Sequence, residues 1–98
     1  VLDTARGRPA AGVAVRLESS AGNEIASAGT DADGRCRELG PEQLAAGIYR
    51  LVFDTGGYLG EESFFPEVTV TFRISEGTAH HHIPLLLSPF AFSSYRGS

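Results

Sequence analysis

Three stretches of this chain alternate apolar and polar residues with a period of two. Val13, Val15 and Leu17 alternate with Ala14, Arg16 and Glu18, and Val68, Val70, Phe72 and Ile74 alternate with Thr69, Thr71 and Arg73. Ile48 to Asp54 is less regular but rich in aromatic and β-branched residues. A period of two with one apolar set is the mark of a strand that buries one face. Weaker strands are expected at Glu24–Thr30 and Arg35–Leu39, and Val1–Thr4 reads as the tail of another. The segments between them carry turn chemistry: Gly and Pro in Arg6–Gly12, then Ser19–Asn23, Asp31–Gly34 and Ser75–Thr78. Pro41–Gly47 opens on proline and closes on glycine, which predicts a helical turn or two. Thr55–Ser63 reads as a polar, glycine-containing connection. Seven or eight short strands with turns every eight to twelve residues predict an all-β sandwich. The segments 13–18, 48–53 and 68–74 should supply most of its core.

The last nineteen residues carry the most particular pattern. His80-His81-His82 leads into the apolar run Ile83-Pro84-Leu85-Leu86-Leu87, and the chain closes on Tyr95-Arg96-Gly97-Ser98. If Ala79–Leu87 is extended, His80, His82, Pro84 and Leu86 share one face, and His81, Ile83, Leu85 and Leu87 share the other. One face then carries two imidazoles about 7 Å apart, at about 3.3 Å of rise per residue. Ser88-Pro89 interrupts this segment, and Phe90–Arg96 makes a last strand. Imidazole titrates near neutrality and can accept or deliver a proton during hydrolysis. The same pair can also be an exposed histidine cluster, or two ligands of a zinc ion. A stable zinc site wants a third ligand, and no histidine outside the His80–His82 run and no cysteine pair exists to supply one.

Composition narrows the picture. Ninety-eight residues suit one domain, 1–98, with a single core. A 42% apolar and 20% charged content fits a folded globular chain. A net charge of -4 argues against nucleic-acid binding. All eight basic residues are arginine, which fits codon bias in a GC-rich genome first, and second a few arginines whose planar fork holds anionic groups bidentately. The single cysteine, Cys36, excludes an intrachain disulfide and fits a reducing compartment. It reads better as a small packed side chain than as a catalytic thiol. No apolar run approaches the roughly 18 residues of a membrane span. Arg35, just after the Asp31–Gly34 turn, could hold a carboxylate-like or imide oxygen, or be an ordinary surface cation. Ser88 and Ser93 lack a nucleophile elbow, and Glu61-Glu62 reads as solvated.

These residues converge on a family. Val1-Leu2-Asp3-Thr4-Ala5-Arg6-Gly7-Arg8-Pro9-Ala10 resembles the opening motif of the 5-hydroxyisourate hydrolases, the transthyretin-related proteins of urate breakdown. Asp33-Gly34-Arg35, Phe64-Phe65-Pro66-Glu67-Val68 and the segment from His80 to Pro89 resemble its internal motifs. The closing Tyr95-Arg96-Gly97-Ser98 resembles its terminal tetrapeptide. The resemblance implies a transthyretin-like sandwich of two four-stranded sheets with one short helix. It also implies a homotetramer, a dimer of dimers, with sites in the channel between dimers.

The implied reaction is hydrolysis of 5-hydroxyisourate to 2-oxo-4-hydroxy-4-carboxy-5-ureidoimidazoline, with no metal or organic cofactor. Carried over by position, His82 is the catalytic histidine with His80 beside it, and Arg35 orients substrate and stabilises the oxyanion. Tyr95, Arg96, Gly97 and Ser98 line the substrate pocket. The family motif has a further histidine immediately before the Val-Leu-Asp stretch, and His81 stands where tyrosine is frequent. The alternative is a transthyretin-like carrier of small hydrophobic ligands, which would line the same channel with apolar or hydroxyl side chains. A bacterial cytoplasm is the default location, with periplasm and peroxisome left open. Neither nucleic acid nor membrane is expected as a partner.

Overall fold

A computed structural model of the chain describes residues 1–36, 39, 44–75 and 82–97. Among them are eight strands: β1 (Leu2–Asp3), β2 (Arg8–Pro9), β3 (Ala14–Ser19), β4 (Glu24–Gly29), β5 (Gly47–Phe53), β6 (Val68–Ile74), β7 (Leu85–Leu87) and β8 (Phe92–Ser94). They form two four-stranded sheets, ordered β2-β1-β7-β8 and β4-β3-β5-β6. Only β1 and β7 run parallel, with Leu2 opposite Leu86. The expected sandwich is what the chain builds.

The alternation in the sequence is the alternation in the core. Val13, Val15 and Leu17 are buried from around β3, Leu51 and Phe53 from β5, and Val68 from β6. Leu85 joins them from the facing sheet. Val70 and Phe72 pack against this cluster from the same side of β6 as Val68, while Thr69, Thr71 and Arg73 are exposed. On β7 both Leu85 and Leu87 are buried to 1% exposure, and Ile83 packs against the core before them. The odd-numbered residues of this segment therefore face inward, as alternation requires.

The helix among the described residues is not the one expected at Pro41–Gly47. Pro41 to Gln43 lie outside the described residues, Leu44 to Ala46 take no regular form, and Gly47 opens β5. The helix is α1, Thr55–Leu59, in the stretch that reads as a connection. Asp54 caps it by accepting from the Gly57 N–H at 3.1 Å, and Gly60 ends it at φ 80°. Those are ordinary N-cap and C-cap signals, hidden by a glycine pair that lowers helix propensity. Burial stabilises the turn: Thr55 is fully buried and its hydroxyl donates to the Phe65 carbonyl.

Two further boundaries differ from the alternation. The expected strand Ala79–Leu87 is regular only from Leu85, with residues 79–81 outside the described set. The last strand is Phe92–Ser94 rather than Phe90–Arg96, because the Ser88 N–H donates to the Ala91 carbonyl and turns the chain there. Arg35, Cys36 and Leu39 join no strand, and Arg37 and Glu38 are outside the described residues. No helix among the described residues is long and apolar enough to cross a membrane.

Candidate functional site

Tyr95, Arg96 and Gly97 are tied to the strand beside them. β7 and β8 pair antiparallel with Leu85 opposite Ser94, and the same register continues outward to a bridge between His82 and Gly97. The Gly97 N–H donates to the His82 carbonyl at 2.8 Å, and the Ser94 hydroxyl donates to the Pro84 carbonyl at 2.7 Å. Tyr95 and Arg96 are thereby held alongside Pro84 and Ile83. Since Ile83, Leu85 and Leu87 face the core, His82 is left exposed.

His82, Tyr95 and Arg96 line one groove of about 440 Å³, joined by Thr71, Arg73 and Ser75. It opens between β6 and β8, each an edge strand of its own sheet. Among the described residues its wall carries an imidazole, two guanidiniums, a phenol and several hydroxyls, and no carboxylate. Such a wall suits an electron-rich, oxygen-bearing ligand that can accept hydrogen bonds. Arg73 was not a candidate on sequence grounds. Its outward position on β6 is legible from alternation, but that β6 borders β8 depends on the order of strands.

Arg35 does not line this groove. It stands exposed at the end of a turn closed by bonds from the Gly34 N–H to the Asp31 carbonyl and from the Asp31 N–H to the Arg35 carbonyl, both 2.9 Å. The Asp31 carboxylate further accepts from the Asp33 and Arg35 N–H groups. Gly34 has φ 73°, and a Cβ there would overlap the Val1 carbonyl and lie 3.3 Å from the Ala10 nitrogen. The Val1 nitrogen donates back to the Gly34 carbonyl. Gly34→Ala is therefore expected to cost at least about 1–2 kcal/mol, the price of left-handed backbone for an L-residue, read as a lower urea midpoint. An unchanged midpoint would mean that the turn is free to relax. His80 and Ser98, the remaining candidates, lie outside the described residues.

Two other titratable groups are explained by packing. Burial pushes the Cys36 thiol up, so it stays protonated at neutral pH, and the side chain packs against the core. Asp3 is buried to 1% exposure on the inward side of β1. Burial acts to raise its carboxyl, but the Tyr58 hydroxyl at 2.8 Å, the Arg6 N–H at 3.0 Å and the nearby Arg6 guanidinium outweigh it and hold it below the usual range. Among the described residues, no group of three or more His, Cys, Asp or Glu is placed to hold a metal ion.

Comparison with known proteins gives one family. Residues 1–97 match the profile of the HIUase/Transthyretin family. A 5-hydroxyisourate hydrolase of Salmonella dublin is 46% identical over 105 residues, covering 100% of this chain and 77% of that protein. The structure of Klebsiella pneumoniae 5-hydroxyisourate hydrolase superposes with a TM-score of 0.89 at 38% identity, covering 99% of this chain and 93% of that one. Sea bream transthyretin in complex with thyroxine superposes at 0.87 and 35% identity, covering 98% and 89%. The chain belongs to the HIUase/Transthyretin family.

Proposed function

We propose that this chain is a 5-hydroxyisourate hydrolase of urate breakdown, forming 2-oxo-4-hydroxy-4-carboxy-5-ureidoimidazoline without a cofactor. The observation that carries this reading is the His82–Gly97 clasp, which gathers His82, Tyr95 and Arg96 on one groove. It does so in a chain similar along its whole length to proteins of that name. His82 takes a proton from water as the oxygen adds to a ring carbonyl, the C–N bond breaks, and the released nitrogen takes up the proton. The ring-opened carbon becomes a carboxylate. A guanidinium holds the charge that develops on the carbonyl oxygen; Arg73 and Arg96 line this groove, and Arg35, which does not, can take that role only from another copy in the tetramer. Extending the parallel register back from Leu2 opposite Leu86, the motif's histidine before Val1 would lie beside Pro84, two positions from His82. His80 assists from the same segment, and Tyr95 to Ser98 wall the substrate.

Ring opening adds one water to the substrate, so product mass and initial rate together test the proposal. A rate that rises in proportion to protein, with the product heavier by one water, supports it. A rate equal to that in buffer contradicts it. The carrier reading predicts tight thyroxine binding without turnover, and an imidazole with two guanidiniums on the groove wall speaks against it.

The protein acts as a homotetramer in this reading. Among the described residues β6 and β8 are edge strands of their sheets, and Phe64 and Phe90 are 69% and 74% exposed. Unpaired edges and exposed aromatics favour association with another copy. Light scattering should give four times the chain mass, and a stable monomer would remove the assembly.

A further inference from the structure

We infer that Gly97 is a positioning residue for His82, and that it acts by leaving the space that the imidazole occupies. Among the described residues six glycines, at positions 7, 12, 22, 34, 47 and 60, take positive φ, and Gly97 is not among them. Its backbone conformation is open to any L-residue, so chain geometry does not explain the glycine. Its neighbour does. A Cβ at position 97 would overlap Nδ1 of His82 and lie 2.8 Å from Cγ and 3.1 Å from Cβ. Cross-strand partners of an antiparallel pair stand side by side on one face, so a side chain at 97 and the imidazole would compete for one volume.

Moving the two backbones apart would break hydrogen bonds. The Gly97 N–H bond to the His82 carbonyl and the Ser94 bond to Pro84 fix the ladder on either side of Tyr95 and Arg96. The His82 side chain, by contrast, is exposed, and turning it breaks no backbone bond. A methyl group at 97 would be accommodated by rotating the ring, carrying it away from the wall it shares with Arg73 and Arg96. Because the ring is exposed, this rotation costs little stability. The glycine thus sets where the imidazole points, an effect separate from its place in the substrate wall.

The inference rests on the reading of His82 as the base, and two readouts separate them. In Gly97→Ala, the His82 imidazole resonances, identified by their loss in His82→Gln, should shift, whatever His82 does in turnover. On 5-hydroxyisourate, kcat should fall by about 100-fold, as expected for a reacting group displaced by about 1 Å, with KM within about twofold. The urea midpoint should stay at the wild-type value. In a His82→Ala background the alanine at 97 should cause no further loss of rate. Wild-type imidazole resonances in Gly97→Ala, or a rate loss matched by a loss of stability, would overturn the positioning role. Full activity in His82→Gln would overturn the base assignment, leaving the resonance shift to decide the positioning role by itself.

Discussion

Replacing His82 by glutamine is expected to lower kcat on 5-hydroxyisourate by about 100- to 10,000-fold, the usual contribution of a positioned general base. Glutamine keeps a polar side chain of similar reach, and His82 is exposed, so the fold should not suffer. KM should change little, because Tyr95 and Arg96 still line the groove. The loss therefore belongs to the transition state rather than to uniform binding of substrate. If kcat and KM both stayed within twofold of the wild type, proton transfer would have to come from elsewhere.

The largest effect on stability is expected at Asp3. Asp3→Ala leaves the Tyr58 hydroxyl and the Arg6 N–H without the carboxylate that now accepts both. Breaking a buried charged interaction in this way costs about 3–5 kcal/mol, against about 1–3 kcal/mol for Tyr58→Phe, which removes one donor. Thermal or urea unfolding of the two variants should show that order. Acid should reproduce part of the loss. The Asp3 carboxyl is held below its usual range in the folded protein, so the unfolded chain binds this proton at higher pH than the folded one. Its stabilising contribution is complete above about pH 4 and is lost as pH falls towards the folded value. Asp3→Asn should show a flatter dependence of stability on pH below about 4. Parallel curves would mean that Asp3 is not held as described.

How much of this was legible depended on the physics behind each signal. β3 and β6 were clear because a two-sided strand writes its burial directly into alternation, at Val13, Val15 and Leu17 and again from Val68 to Ile74. β1 was not. It is two residues long, and a reading by hydrophobicity would turn Leu2 inward, whereas Leu2 is 41% exposed and Asp3 is buried. What decides its orientation is a hydrogen bond from Tyr58, a residue 55 positions away on α1. No local pattern contains that contact. α1 itself was missed because Gly56 and Gly57 resemble a loop, although the Asp54 cap and Gly60 end were both present.

The site divides in the same way. Parity placed His82 outward and Ile83 inward, and both hold. That Tyr95 and Arg96 would meet His82 followed from the family resemblance, and its physical cause is the unbroken register from Leu85–Ser94 to His82–Gly97. Arg73 could not be anticipated, since its place beside His82 comes from the order of strands in two sheets. Gly97 looked like one member of a pocket-lining motif. Its ordinary φ and its contact with the imidazole became visible only in three dimensions.

The most direct test follows the ultraviolet absorbance of freshly generated 5-hydroxyisourate in buffer, with protein carrying the family's histidine before Val1, and with the His82→Gln form at equal concentration. Decay should accelerate in proportion to the first protein and fall nearly to the buffer rate with the second. Decay no faster than in buffer with the first protein would contradict the assignment of this groove as a hydrolytic site.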